Sequence, residues 1–285
     1  MIRKIFFALI LLFITSGFTT HFNDTTKVVN LPWSTTFDCP DWLKYSDPLT
    51  CDELSKGGNS TCSGGEWEQI TSVANYPGGA GAKGQRHWLG DGVSNNSGGI
   101  LINLNNETEF WMRWYMRFEA GFQWSSYEGF KIIYLFDSTG GLRNNSYFMM
   151  PGATGTPSRS IDLYCEGDSK HYVANRVGWL NQFPSGRSDG SWHCYEVHFK
   201  RESAGQSNGV FQAWLDSVLI INANTVNYGI ANSRDTFIQI RIGSNSKVPN
   251  NGRCMYVDYD DIAISNTGYI GPIGSGSAPA SPRGL

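Results

Sequence analysis

Charge is scarce in this chain of 285 residues. Lys and Arg number 22 and Asp and Glu 25, together 16% of the sequence, for a net charge of −3. No basic surplus exists to neutralise phosphates, which argues against a nucleic-acid partner. Long apolar runs are missing too. The run Ile5–Ile14 is about half of the roughly 20 residues that a membrane-spanning helix needs. No stretch of three helical turns carries an apolar stripe. The glycine-rich GGAGAKGQ (Gly78–Gln85) is not GxxxxGKS/T and opens no helix, so it is no phosphate cradle, and no GxSxG elbow occurs. With no CxxC pair, a zinc site has no support.

Glycine and aromatic rings are abundant instead: 33 Gly, 10 Trp, 13 Tyr and 16 Phe, within a hydrophobic content of 40%. The first supplies turns, the second the side chains that fill pleated, half-buried surfaces. Disorder is excluded, and an all-β domain with rings suited to stacking on sugars is expected. Residues 1–20 read as a secretion signal. Arg3 and Lys4 precede the apolar run, and Thr15, Ser16 and Gly17 give a small-residue exit. An uncleaved anchor is the alternative reading. The protein is therefore expected outside the cell or in the periplasm, as a monomer. Its six cysteines (Cys39, Cys51, Cys62, Cys165, Cys194 and Cys254) suit disulfides in that oxidising space, with at least one pair among the first three.

Runs of alternating residues broken by Gly, Asn, Ser and Pro predict strands near 33–38, 99–104, 109–119, 130–136, 147–150 and 160–166. Others follow near 172–174, 192–201, 209–216, 218–224, 236–243 and 254–265. One domain over 23–270 precedes a flexible Gly/Ser/Pro-rich tail at 271–285. Alternation also sorts the faces. In 109–119, Phe110, Met112, Trp114, Met116 and Phe118 form the core face, and Trp111, Arg113, Tyr115 and Arg117 the other. Glu196, His198 and Lys200 likewise oppose Val197 and Phe199. Gln212 and Trp214 oppose Phe211 and Ala213, and Gln239 and Arg241 oppose Ile238, Ile240 and Ile242. Near 130–136 the split is less clean, with Lys131 on one face and Tyr134 on the other. Gathered in one groove, such residues would stack on sugar rings and pair with uronate carboxylates or sulfates. Left apart, they are unrelated solvent-facing positions.

The segments GGAGAKGQRHWLGDG (Gly78–Gly92), EFWMRWYMRFEAGFQW (Glu109–Trp124) and WHCYEVHFK with GVFQAWLDS (within Trp192–Ser217) resemble the concanavalin A-like jelly-roll family, within it the polysaccharide-lyase-like branch of heparin-lyase-like and alginate- or glucuronan-lyase proteins. YVDYDDIAIS (Tyr256–Ser265) is similar to the last strand of many such sandwiches. The resemblance implies two antiparallel sheets, the concave one a polysaccharide cleft. It implies β-elimination, in which a residue neutralises the uronate carboxylate, a His or Tyr takes the C5 proton and a Tyr protonates the leaving oxygen. Carried onto this chain, His198 is the candidate base, Tyr134 or Tyr115 the proton donor, and Arg113, Gln239 and Arg241 the carboxylate binders. Arg86 and His87 stand where relatives carry an arginine-containing strand motif. Calcium is the expected structural cofactor, on Asp38, Asp260 and Asp261 between the first and last strands. Three rival readings remain: a non-catalytic carbohydrate-binding or adhesion module, a structural surface protein with no glycan partner, and a glycoside hydrolase. The hydrolase would draw on Asp258, Asp260 and Glu196, but the chain has no Glu-x-Asp-x-Glu run.

Overall fold

The computed structural model describes residues 22–24, 28–38, 68–89, 99–122, 130–137, 146–150, 162–165, 170–173, 187–228, 236–242 and 255–274. The expected leader at 1–20, the Cys39–Cys51–Cys62 stretch and residues 275–285 of the expected tail lie outside the described residues. The strands are β1 (Phe22–Asp24), β2 (Trp33–Thr35), β3 (Glu68–Thr71), β4 (Gly84–Leu89), β5 (Gly99–Glu107), β6 (Glu109–Phe118), β7 (Phe130–Asp137) and β8 (Ser146–Met150). They continue as β9 (Asp162–Cys165), β10 (Lys170–Val173), β11 (His193–Lys200), β12 (Gly209–Leu215), β13 (Val218–Val226), β14 (Phe237–Ile242) and β15 (Met255–Ser265). Among the described residues the only helical element is one 3-10 turn, Ser72–Ala74, and no helix is long and apolar enough to cross a membrane.

The strands form two sheets. One has the order β1-β5-β14-β7-β8-β9-β10, the other β13-β12-β11-β6-β15-β4-β3, with β2 added to β15. The expected all-β sandwich is what the chain builds. Its pairing is antiparallel except at one edge, where β1 runs parallel to β5 and Val29 bridges Leu104 in the same sense. The long connection between β1 and β5 meets the crossover requirement of a parallel pair.

Alternation drives the packing. On β6 the inward set Phe110, Met112, Trp114, Met116 and Phe118 is buried, and each large side chain so removed from water contributes about 2 kcal/mol. Ile100, Ile102, Leu104, Ile133, Leu135, Ile240 and Ile242 face it from the seven-stranded sheet within a single core. Phe237 of β14 ties the layers together, its ring edge-on to Phe110 at 5.7 Å and to Tyr228 at 5.5 Å. The β12–β13 hairpin closes on Asp216 and Ser217, both at positive φ (48° and 69°), as the tight turn that matches strand twist requires. Gly84 opens β4 where a Cβ would stand 2.0 Å from the Ala74 carbonyl oxygen; only glycine lets the 3-10 turn sit this close.

Alternation did not reveal β1, β3 and β4. In β4 the reason is plain: its inward side holds Gln85 and His87, both fully buried, with Gln85 Nε2 and His87 Nε2 2.9 Å apart. Polar residues occupy slots that a pattern reader reserves for apolar ones. His87 therefore faces the core, which corrects its expected place in a binding groove. Burial drops its pKa to about 3, so the folded protein keeps it neutral where the unfolded chain would protonate it. From the ordinary histidine value near 6.5 down toward 3, the unfolded state binds the extra proton and stability falls with pH. Measured against His87→Phe, the wild type is expected to lose several degrees of Tm between pH 7 and pH 4.5, and equal slopes in the two proteins would refute the assignment.

Candidate functional site

The eight-stranded sheet turns most of the expected site residues outward, in register. His198 lies opposite Trp111 and Gln212, Glu196 opposite Arg113 and Trp214, and Lys200 opposite Glu109. Asp258 lies between Arg86 and Arg117, and Asp260 opposite Tyr115. These residues do meet on one face, but their polar groups are engaged with one another. The His198 ring stacks on Trp111 at 4.0 Å and 5°, with Nδ1 2.9 Å from Gln212 Oε1 and Nε2 2.9 Å from Glu109 Oε1. Gln212 passes a hydrogen bond on to Asn222, and Lys200 pairs with Glu109 at 3.0 Å. Burial pushes the Glu109 carboxyl up, but Lys200 and His198 outweigh it and hold it below its usual value. Arg86 grips Asp258 through two nitrogens at 2.7 and 3.0 Å, and Arg117 adds a third bond at 2.8 Å. Tyr256 underlies Arg86 at 3.4 Å, and Trp192 underlies Arg117 at 4.8 Å. Asp258 is thus the acidic partner of Arg86, supplied from a neighbouring strand.

Two segments then cover the same face. Residues 269–274, the end of the domain and the start of the expected flexible tail, are docked across it. Glu196 accepts the N–H groups of Ile270 (2.7 Å) and Gly271 (2.8 Å), the Tyr115 hydroxyl accepts that of Ile273 (2.8 Å), and Arg113 donates to the carbonyls of Gly271 and Asp261. Trp214 meets the Tyr269 ring edge-on at 5.0 Å. From the other side Tyr76 stacks on Tyr115 at 3.8 Å, and the Val73 carbonyl accepts from Arg117. Glu196 and Tyr115 are almost wholly buried, and burial pushes the Tyr115 hydroxyl and the Glu196 carboxyl up. The disulfide expectation is corrected for Cys194: it is a free, buried thiol whose pKa burial lifts to about 12.

Tyr134, Gln239 and Arg241 stand on the outer face of the seven-stranded sheet, on the far side of the sandwich from His198 and Arg113. One catalytic set made of all five is therefore impossible. Arg241 lies opposite Tyr134 on β7 and Leu101 on β5, while Gln239 lies opposite Phe136 and Asn103. Arg241 Nε donates to Gln239 Oε1 at 2.8 Å, and Gln239 Nε2 donates to Asn103 Oδ1 at 3.0 Å. The guanidinium sits over the Phe136 ring at 4.1 Å. Burial pulls its pKa below the ordinary value, with Tyr134 acting in the opposite direction.

The row continues across the sheet, because Tyr134 pairs with Tyr147, Tyr147 with Tyr164 and Tyr164 with His171. A bulge in β7 sets the place of Lys131. Lys131 lies opposite Met149 and Tyr134 opposite Tyr147, two positions apart on β8, so both share one face while Ile132 and Ile133 are both buried. The expected split of Lys131 and Tyr134 between faces is corrected accordingly. Sequence reasoning missed Asn103, Phe136, Tyr147, Tyr164 and His171. The last three sit in strands of four or five residues, each too short to show a pattern, and only pairing register lines them up.

The expected calcium ligands Asp38, Asp260 and Asp261 gather near one another. Asp260 Oδ2 accepts the Tyr76 N–H at 2.6 Å and Oδ1 that of Asp261 at 2.7 Å. Asp38 Oδ2 accepts the Ala82 N–H and the Thr36 hydroxyl, at 2.9 and 3.3 Å. A Cβ on Gly79 would stand 1.8 Å from Asp261 Oδ2. Burial first, then Asp261 and Asp38, push Asp260 up to about 8. Among the described residues no group of three or more His, Cys, Asp and Glu is arranged to hold a metal ion.

No protein-family model matches the chain, and no curated protein matches it. Solved structures do. Alginate lyase Aly36B is similar at 16% identity and TM-score 0.48, over 66% of this chain and 82% of its own. The endo-β-1,4-glucuronan lyase of the fungus Trichoderma reesei is similar at 14% and 0.46, over 70% and 87%. The alginate lyase vAL-1 of a Chlorella virus is similar at 12% and 0.47, over 70% and 88%.

Proposed function

We propose that the outer face of the seven-stranded sheet binds an acidic polysaccharide and cleaves it at a uronate residue by β-elimination. The observation that carries this reading is the pairing of Arg241 with Tyr134 in one cross-strand row, with a Gln–Asn relay behind the arginine and three further ring positions beyond the tyrosine. Arg241 faces the uronate carboxylate, and charge neutralisation there makes the C5 proton more acidic. A base on the row takes that proton, the C5–H electrons become the C4–C5 double bond, and the C4–O4 bond breaks. Tyr134 gives the departing oxygen its proton. We place the base at Tyr147, next to Tyr134 in the row and about 10 Å from Arg241 by strand spacing, since Tyr164 and His171 stand one and two strands further off. The leader expected at residues 1–20 would carry the protein to where such polymers lie.

The test is to incubate the protein with alginate, polyglucuronate, hyaluronan and heparin and to follow the absorbance of the unsaturated uronate product. Alginate and glucuronan lead the panel because they are the polymers named for the similar structures. Product on at least one polymer is expected. His198→Ala should keep kcat/KM within about twofold of wild type, because its ring is engaged on the opposite sheet; a hundredfold loss would return the site to that face. Polymer binding without product would make this a glycan-binding module, and neither binding nor product would end the reading.

A further inference from the structure

The Gln239 side-chain amide is used at both ends. Its oxygen accepts from Arg241 Nε at 2.8 Å and its nitrogen donates to Asn103 Oδ1 at 3.0 Å. The three residues sit on two adjacent strands, with Gln239 opposite Asn103 in the β14–β5 register. Beneath them the Phe136 ring supports the guanidinium plane at 4.1 Å. An arginine side chain has many rotamers, and recognition by its planar fork demands one orientation. Here the plane is set by the ring and the rotation within that plane by the Nε–Gln239 bond. The arginine N–H can only donate, so the Gln239 oxygen faces it and the Gln239 nitrogen is left to Asn103 Oδ1, which anchors the far end of the amide.

We infer that Gln239 and Asn103 are positioning residues that aim Arg241, and that Gln239 does not itself touch the substrate carboxylate. This rests on the reading of that face as a polyuronate site and reassigns Gln239 from the carboxylate-neutralising role expected of it. The bonds link Asn103 to Gln239 and Gln239 to Arg241, so a change at Asn103 or Gln239 is expected to reach the substrate through the arginine.

The experiment measures kcat/KM and affinity on alginate and polyglucuronate for Gln239→Leu, Asn103→Ala, Asn103→Asp and Arg241→Ala, and for Gln239→Leu combined with Arg241→Ala. Gln239→Leu is expected to lower kcat/KM about tenfold and Asn103→Ala about threefold, with unchanged Tm. Asn103→Asp keeps an acceptor for Gln239 Nε2 and should restore activity to within about twofold of wild type, which a mere packing role for Asn103 would not require. Adding Gln239→Leu to Arg241→Ala should cost no further affinity, because both changes act through one group. A further loss of about tenfold in that background, or wild-type activity in Gln239→Leu, overturns the inference. If wild type neither binds nor cleaves any of these polymers, the reading of the face fails first, and that outcome is distinct from either of these.

Discussion

Replacing Arg241 with alanine is expected to lower kcat/KM on the cleaved polymer by about a hundredfold or more. That is the scale on which deleting one preorganised stabilising group at a developing anion usually acts. The expectation is large because this arginine is half-buried and backed by an aromatic ring, so its charge is less screened than that of a surface lysine. The fold should be indifferent, since Arg241 lies outside the shared core, and the Tm is expected to stay within a few degrees of wild type. Steady-state rates on the responsive polymer, beside a thermal melt, separate the two effects. Near-wild-type turnover in Arg241→Ala would remove the carboxylate-binding role and, with it, the reason for placing chemistry on this sheet.

The second large effect is expected in stability. Asp258 is wholly buried and accepts from Arg86 and Arg117 together, whose side chains are only 12% and 23% exposed. Asp258→Ala leaves two guanidinium groups facing each other with no intervening anion. Breaking a buried pair in this way costs about 3–5 kcal/mol, a large part of the 5–15 kcal/mol that holds a typical domain folded. In a protein of this size the Tm should fall by roughly 10 °C. Polymer cleavage at a temperature where the variant is folded should persist, because the triad belongs to the opposite side of the sandwich. A loss under about 1 kcal/mol would mean that water already reaches and screens the cluster.

Most of the strands were legible because period-two alternation is a local property. The predicted 109–119 became Glu109–Phe118 and 192–201 became His193–Lys200, with the inward and outward sets as expected. Assignment to a sheet is not local. Gln239 and Gln212 look alike in sequence, each between core residues in a short strand, yet β14 joins β5 and β7 whereas β12 joins β11 and β13. Nothing within either strand records that choice. Alternation also says nothing of what lies above a face, so Glu196, Arg113 and Tyr115 read as open groove residues when they are the docking points of the chain's own residues 270–273. The β7 bulge misled in a third way. One extra residue between Lys131 and Ile133 reverses the parity on which the reading of that strand depended.

The arginine–aspartate cluster and the docked residues 269–274 lie on one layer and the tyrosine row on the other, so the buried ion pairs and the proposed polymer face are physically separate. Changes that toughen the molecule, or a tether that fixes it to a bead, can go on the back of the sandwich without reshaping the front. The two layers are held together by the core between them, so a change on either outer face leaves that contact in place.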